Sequence, residues 1–180
     1  MELILIALYF LLSRTDMPWH VRTVECMAGV CYSLQNNIFT ITKNDKHLWQ
    51  TPKEWHVDQF ILADSNNDGQ TEINLLVWKP GDYGSSKPFW VRKNDDSIKN
   101  HLFLYQLDGE TVNSVWQSSN LNKPNCSAEI KDIDNDGKNE LVVLEGEYTK
   151  KYKCKPKYQA IWRWSEWGFY NIDRKNLTAL

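Results

Sequence analysis

This chain of 180 residues has few of the marks that announce a function. Its longest uninterrupted apolar run is Leu3–Leu12, ten residues, and a helix that crosses a bilayer needs about 20. It has no excess of either charge: 21 Lys and Arg stand against 23 Asp and Glu, a net of −2. That balance argues against nucleic acid as a partner. Its four cysteines include no CxxC pair, so the common zinc spacing is missing. HExxH, GxSxG, the P-loop and GxGxxG are all absent, and with them the usual signatures of hydrolases and nucleotide enzymes. No segment carries the 3.6-residue period of an amphipathic helix.

What is present points toward strands. Nine Trp and eight Tyr are many for a chain this short, and with Val, Ile and Thr they favour a pleated sheet. Apolar residues make up 42% and charged residues 24%, a globular balance. The Leu3–Leu12 run fits either the core of an export signal or a buried strand. No Lys or Arg precedes it, and neither a small-x-small site nor a lipobox cysteine follows. An extracytoplasmic location, secreted or cell-surface, is the expectation. Cys26, Cys31, Cys126 and Cys154 allow two disulfides in any of three connectivities, or four buried thiols. A hairpin across the intervening Met-Ala-Gly-Val would set Cys26 opposite Cys31.

The chain repeats itself at three levels. Trp-His-Val occurs at 19–21 and 55–57, each time opening an apolar run. NIFTITKNDKHLWQT (37–51) and HLFLYQLDGETVNSVWQSS (101–119) share an alternating strand, a turn and an ending on Trp-Gln. DSNNDGQTE (64–72) and DIDNDGKNE (132–140) share one order of side-chain types. The strand reading that follows is 20–26, 30–34, 37–42 and 47–50; then 56–63, 72–78, 101–107 and 111–117; then 126–133, 140–148, 158–164 and 168–173. Period-2 alternation supports it: Leu102 and Leu104 fall on one face, Phe103 and Tyr105 on the other. The expected fold is all-β, a β-propeller-like array of about three four-stranded blades. Its units span about 19–52, 53–119 and 120–174 of a single domain at 17–175, after the apolar segment 1–16. Propellers close with about four blades or more. Three blades imply an incomplete ring, an open stack, or a ring finished by self-association or a partner chain.

The nine-residue turns have the chemistry of a metal site. Positions one, three and five of a tight turn aim their side chains to one side, and glycine at six admits the backbone bend. The carbonyl at seven then points inward, and an acid at nine closes the shell. The candidate ligands are Asp64, Asn66, Asp68, Gln70 and Glu72 in the first turn, and Asp132, Asp134, Asp136, Lys138 and Glu140 in the second. Gln70 and Lys138 would contribute backbone carbonyls. An all-oxygen cage rich in carboxylates suits Ca²⁺, one ion per turn. Asp134 gives the second turn one more acid than the first, so charge count alone predicts tighter binding there. Ordinary hairpin turns also use Asp, Asn and Gly, but two copies at one spacing go beyond that. An EF-hand is excluded: its twelfth position, a bidentate Glu, is Leu75 in one copy and Val143 in the other, and strands follow.

These turns resemble the D-x-[DN]-x-D-G-x-x-[DE] calcium loops of FG-GAP and VCBS repeats, found in integrin α-subunit propellers and many bacterial surface proteins. The resemblance implies a calcium-binding propeller whose loops join neighbouring strands of a blade. The chain lacks the Phe-Gly and Gly-Ala-Pro signatures, its first unit has no acidic turn, and position nine is Glu in both copies. The function expected is a non-enzymatic calcium-binding module for a protein or carbohydrate ligand. Residues 79–100 form a long insertion in which Tyr83, Phe89 and Trp90 would offer an aromatic platform, or a lid over a sheet edge. The alternative is a hydrolase or lyase using Asp82, Asp95, Asp96 and His101 in that region, or a subunit that completes a propeller. Five Lys in 150–157 read as a solvated loop, and the Trp cluster at 161–169 as packing between blades.

Overall fold

The computed structural model describes residues 23–81 and 95–177. The Leu3–Leu12 run, the first Trp-His-Val copy, Asp82 and the platform residues Tyr83, Phe89 and Trp90 lie outside them. Twelve strands run in chain order. They are β1 (Thr23–Met27), β2 (Val30–Gln35), β3 (Ile38–Lys43), β4 (Lys46–Gln50), β5 (His56–Ala63), β6 (Glu72–Pro80), β7 (Ile98–Asp108), β8 (Thr111–Gln117), β9 (Asn125–Lys131), β10 (Glu140–Lys150), β11 (Lys153–Ser165) and β12 (Gly168–Asn176). Each consecutive set of four forms one antiparallel sheet with neighbours in sequence order. Among the described residues no α-helix occurs and no closed ring is formed.

Turn chemistry sets the first sheet. Ala28-Gly29, Asn36-Asn37 and Asn44-Asp45 all have positive φ, between 48° and 77°. Two such residues in a row make the tight turn whose twist matches a hairpin. The second and third sheets instead join their first two strands through the nine-residue acidic turns.

The second sheet is covered on both faces, and β6 shows why its sequence reads INLLVWK. Ile73, Leu75 and Val77 join Phe103, Tyr105, Val57 and Phe60 against Val30, Tyr32, Phe39 and Ile41 of the first sheet. Leu76, Leu102 and Leu104 pack the other way, onto Ala128, Leu141, Val143 and Ala160 of the third. Residues 72–79 are all buried, so a strand with no polar face is required there. Trp116, Trp164 and Phe169 seal the outer part of the second contact edge-to-face, with ring centroids 5.1–6.1 Å apart. Gln59 knits the same two sheets through its amide, which donates to the Ala128 carbonyl at 2.8 Å and accepts from the Ala128 N–H at 3.1 Å.

The internal repeat is physical as well as textual. Thr51 Oγ1 accepts the Phe39 N–H at 3.1 Å, and Ser118 Oγ accepts the Leu102 N–H at 3.0 Å. Each sits just beyond a Trp-Gln pair and closes the last strand onto the one before. Ser118 is therefore a structural hydroxyl.

The cysteines form two disulfides, Cys26–Cys31 and Cys126–Cys154. The first joins directly paired residues of the β1–β2 hairpin. The second passes over β10, since Cys126 lies on β9 and Cys154 on β11.

Candidate metal centres

The two acidic turns fold alike. Asn67 and Gly69 take φ of 61° and 86°, and Asn135 and Gly137 take 61° and 83°. In both, the leading Asp caps the turn. Asp64 Oδ1 and Oδ2 accept the N–H groups of Asp68 and Gly69, at 3.1 and 2.9 Å. Asp132 does the same for Asp136 and Gly137, at 3.2 and 2.8 Å. Position three accepts the N–H of position five, through Asn66 at 2.9 Å and Asp134 at 3.3 Å. Position five accepts the N–H of position seven at 2.8 Å in both, Gln70 to Asp68 and Lys138 to Asp136. The side chains that the spacing assigned to one side of the bend are thus held there by backbone donors.

The result is two groups of convergent oxygens. Asp64, Asp68 and Glu72 bring carboxylate oxygens within 4.8 Å of one another, as do Asp132, Asp134 and Asp136. Glu72 opens β6 and Glu140 opens β10, so position nine of each turn is anchored in a sheet and fully buried. The turns also touch each other. Asn139 N–H donates to Asn67 Oδ1 at 2.7 Å, Asn67 Nδ2 donates to the Asn139 carbonyl at 3.2 Å, and Asn139 Nδ2 donates to the Asp64 carbonyl at 2.8 Å.

Position nine separates the two centres. Glu72 Oε2 accepts from Ser65 N–H at 2.8 Å, Ser65 Oγ at 3.0 Å and Asn66 N–H at 3.4 Å. Its Oε1 is buried with no hydrogen-bond partner. Burial pushes the Glu72 carboxyl above its ordinary value, against the hydrogen bonds from Ser65 and Asn66 that pull it down. Glu140 has a partner for each oxygen. Oε2 accepts the Ile133 N–H at 3.2 Å, and Oε1 receives the Arg163 guanidinium at 2.7 and 3.0 Å. Arg163 Nη2 also reaches Asp134 at 2.9 Å and lies 3.7 Å from Asp136. Its hydrogen bonds to Glu140 and Asp134 push the guanidinium further toward the charged form.

Register explains the asymmetry. Arg163 on β11 pairs with Glu140 on β10, one step beyond Leu141 and Trp162. In the second sheet the same step beyond Ile73 and Tyr105 leads to Gln106, which is neutral. One turn therefore carries a built-in cation and the other an unanswered buried oxygen. An all-oxygen set with an orphaned carboxylate oxygen fits a hard divalent ion.

Of the residues expected for an enzyme, His101 is fully buried on β7 beside Phe103, while Asp95 and Asp96 are exposed. The basic segment forms the exposed β10–β11 hairpin, where Tyr152 stacks on His56 with centroids 4.3 Å apart. Comparison with protein-family models, with curated proteins and with solved structures returned no match.

Proposed function

We propose that this chain is a calcium-binding β-repeat module of the FG-GAP/VCBS kind, acting outside the cytoplasm as a binding domain rather than as an enzyme. Asp64, Asn66, Asp68, the Gln70 carbonyl and Glu72 would hold one Ca²⁺; Asp132, Asp134, Asp136, the Lys138 carbonyl and Glu140 would hold a second. The observation that carries this reading is Glu72 Oε1, a buried carboxylate oxygen without a partner beside two further carboxylates. A divalent ion supplies the missing charge there and fastens the start of β6 to the end of β5. Two disulfides accord with an oxidising compartment, where calcium is plentiful. Among the described residues the three sheets close no ring, which accords with completion by a second copy or a partner chain.

The Arg163 contact reverses the order of affinity that charge count gives. The extra acid of the second turn is already engaged by the guanidinium, so Ca²⁺ there must displace or share it. The first turn fills first. Scanning calorimetry tests the reading: at 100-fold excess over Kd each filled site adds about 2.7 kcal/mol. That raises the melting temperature by about 5–10 °C per site for a chain of this size. An identical melting temperature in calcium and in chelator contradicts it.

A further inference from the structure

A cleft of about 420 Å³ lies between the second and third sheets; it shares no residue with the acidic turns, although Leu141 in its lining directly follows Glu140. Its volume falls within the range of small-ligand sites, about 300–1,000 Å³. Three indoles border it: Trp116 from β8, Trp162 from β11 and Trp167 from the β11–β12 turn. Trp167 is 82% exposed, the most exposed of the large apolar side chains described. An indole left in water at the mouth of a cavity offers a flat apolar face to a ligand.

Part of the lining is polar and internally hydrogen-bonded. Glu145, 2% exposed, accepts from Trp162 Nε1 at 3.1 Å and from Arg174 at 2.8 and 3.1 Å. The Arg174 guanidinium also lies over the Trp162 ring, 5.8 Å from its centroid. Asn122 in the connection after β8 and Asn125 at the start of β9 add to the wall. The cleft thus combines exposed indole with groups that both donate and accept, around a charge pair that is internally neutralised.

We propose that this cleft binds a neutral saccharide. A sugar ring presents C–H groups on one face, which suit an indole, and hydroxyls at its rim that donate and accept at once, which suit carboxamides. A proline-rich peptide offers carbonyl acceptors and seeks an indole N–H; the innermost candidate, Trp162, has its N–H committed to Glu145, and the peptide is carried into the test as the competing outcome. Glu145 and Arg174 spend their charges on each other and so offer an anion no free counter-charge; the remaining lining cation, Lys123, stands over the Tyr158 ring, 5.4 Å from its centroid. The proposal does not depend on the calcium reading.

The test titrates the full chain with neutral mono- and disaccharides, an acidic saccharide and a proline-rich peptide, read by tryptophan fluorescence and calorimetry. At least one neutral saccharide is expected to bind and shift the emission. Trp167→Ala, at an exposed turn, is expected to weaken that binding at least tenfold without moving the melting temperature, and Trp167→Phe to restore part of it. Binding is expected to survive Asp68→Ala with Asp136→Ala below their melting temperature, so a failure of the calcium reading leaves it standing. Failure of the folded protein to bind any neutral saccharide overturns the proposal. So does binding indifferent to Trp167→Ala, or binding confined to the peptide or the acidic sugar.

Discussion

Glu72 is the residue on which the metal reading turns, and its chemistry gives a prediction with two signs. Its buried Oε1 lacks a hydrogen-bond partner. Glu72→Gln places an amide there that can donate toward Asp64 and Asp68, while its carbonyl keeps the Ser65 donors. The variant is expected to melt higher than wild type in chelator and to lose the calcium-induced rise at the first turn. Arg163→Gln is the converse. It strips Glu140, which is 0% exposed, of its cation. The metal-free protein should melt lower, and the second turn should bind Ca²⁺ more tightly, both read by calorimetry. Tyr105 supplies a pH dependence unrelated to metal. Burial pushes its phenol from 10.0 up to about 12, with a hydrogen bond from Gln117 opposing. Below pH 10 both folded and unfolded phenols are protonated and stability is full. Between pH 10 and about 12 only the unfolded phenol ionises, so up to about 3 kcal/mol of stability is lost. Denaturant melts across that range check it: burial raises Tyr32 and Tyr148 as well, so Tyr105→Phe should show a shallower loss than wild type rather than none.

At the scale of elements, the third sheet depends on one missing side chain. A Cβ at Gly146 would stand 2.0 Å from the Lys155 carbonyl oxygen and 2.9 Å from Cys126 Sγ. The bare glycine lets β11 and the Cys126–Cys154 bridge close over β10. Gly146→Ala should therefore leave free thiols by Ellman titration and lower stability at least as much as losing the bridge. That loss is about 3–4 kcal/mol by chain entropy for the sequence separation of 28. The same scale explains the first unit. Its β1–β2 connection is a two-residue turn clipped by Cys26–Cys31, at the place where the other units have acidic turns. A covalent link stands where they have a candidate ion site.

Much of this was legible in the chain. β5 and β8 lie at their expected bounds, and most other strands, where described, begin and end within about three residues of theirs, since alternation and turn residues mark them locally; β11 begins at Lys153, five residues early, because the Lys-rich segment expected as a loop pairs with the end of β10. Trp-Gln aligned Thr51 with Ser118, and both carry the same hydrogen bond. The spacing that gathered Asp64, Asp68 and Glu72 is a local property of one turn. Arg163 was not legible, because it reaches the second turn through strand register, 29 residues from Asp134. The cleft and the bridge over Gly146 are likewise products of packing between distant strands.

Across the whole molecule, the acidic turns meet at Asn67 and Asn139, at the seam between the second and third sheets. Two ions there would fasten both the hairpins and the seam, so calcium should act on one cooperative unfolding transition. Isothermal calcium titration of wild type, Asp68→Ala, Asp136→Ala and the double variant measures this most directly. The account predicts two ions for wild type, the tighter lost with Asp68→Ala, the weaker lost with Asp136→Ala, and none for the double variant. No calcium heat from folded wild-type protein, or the same heat from the double variant, would contradict it.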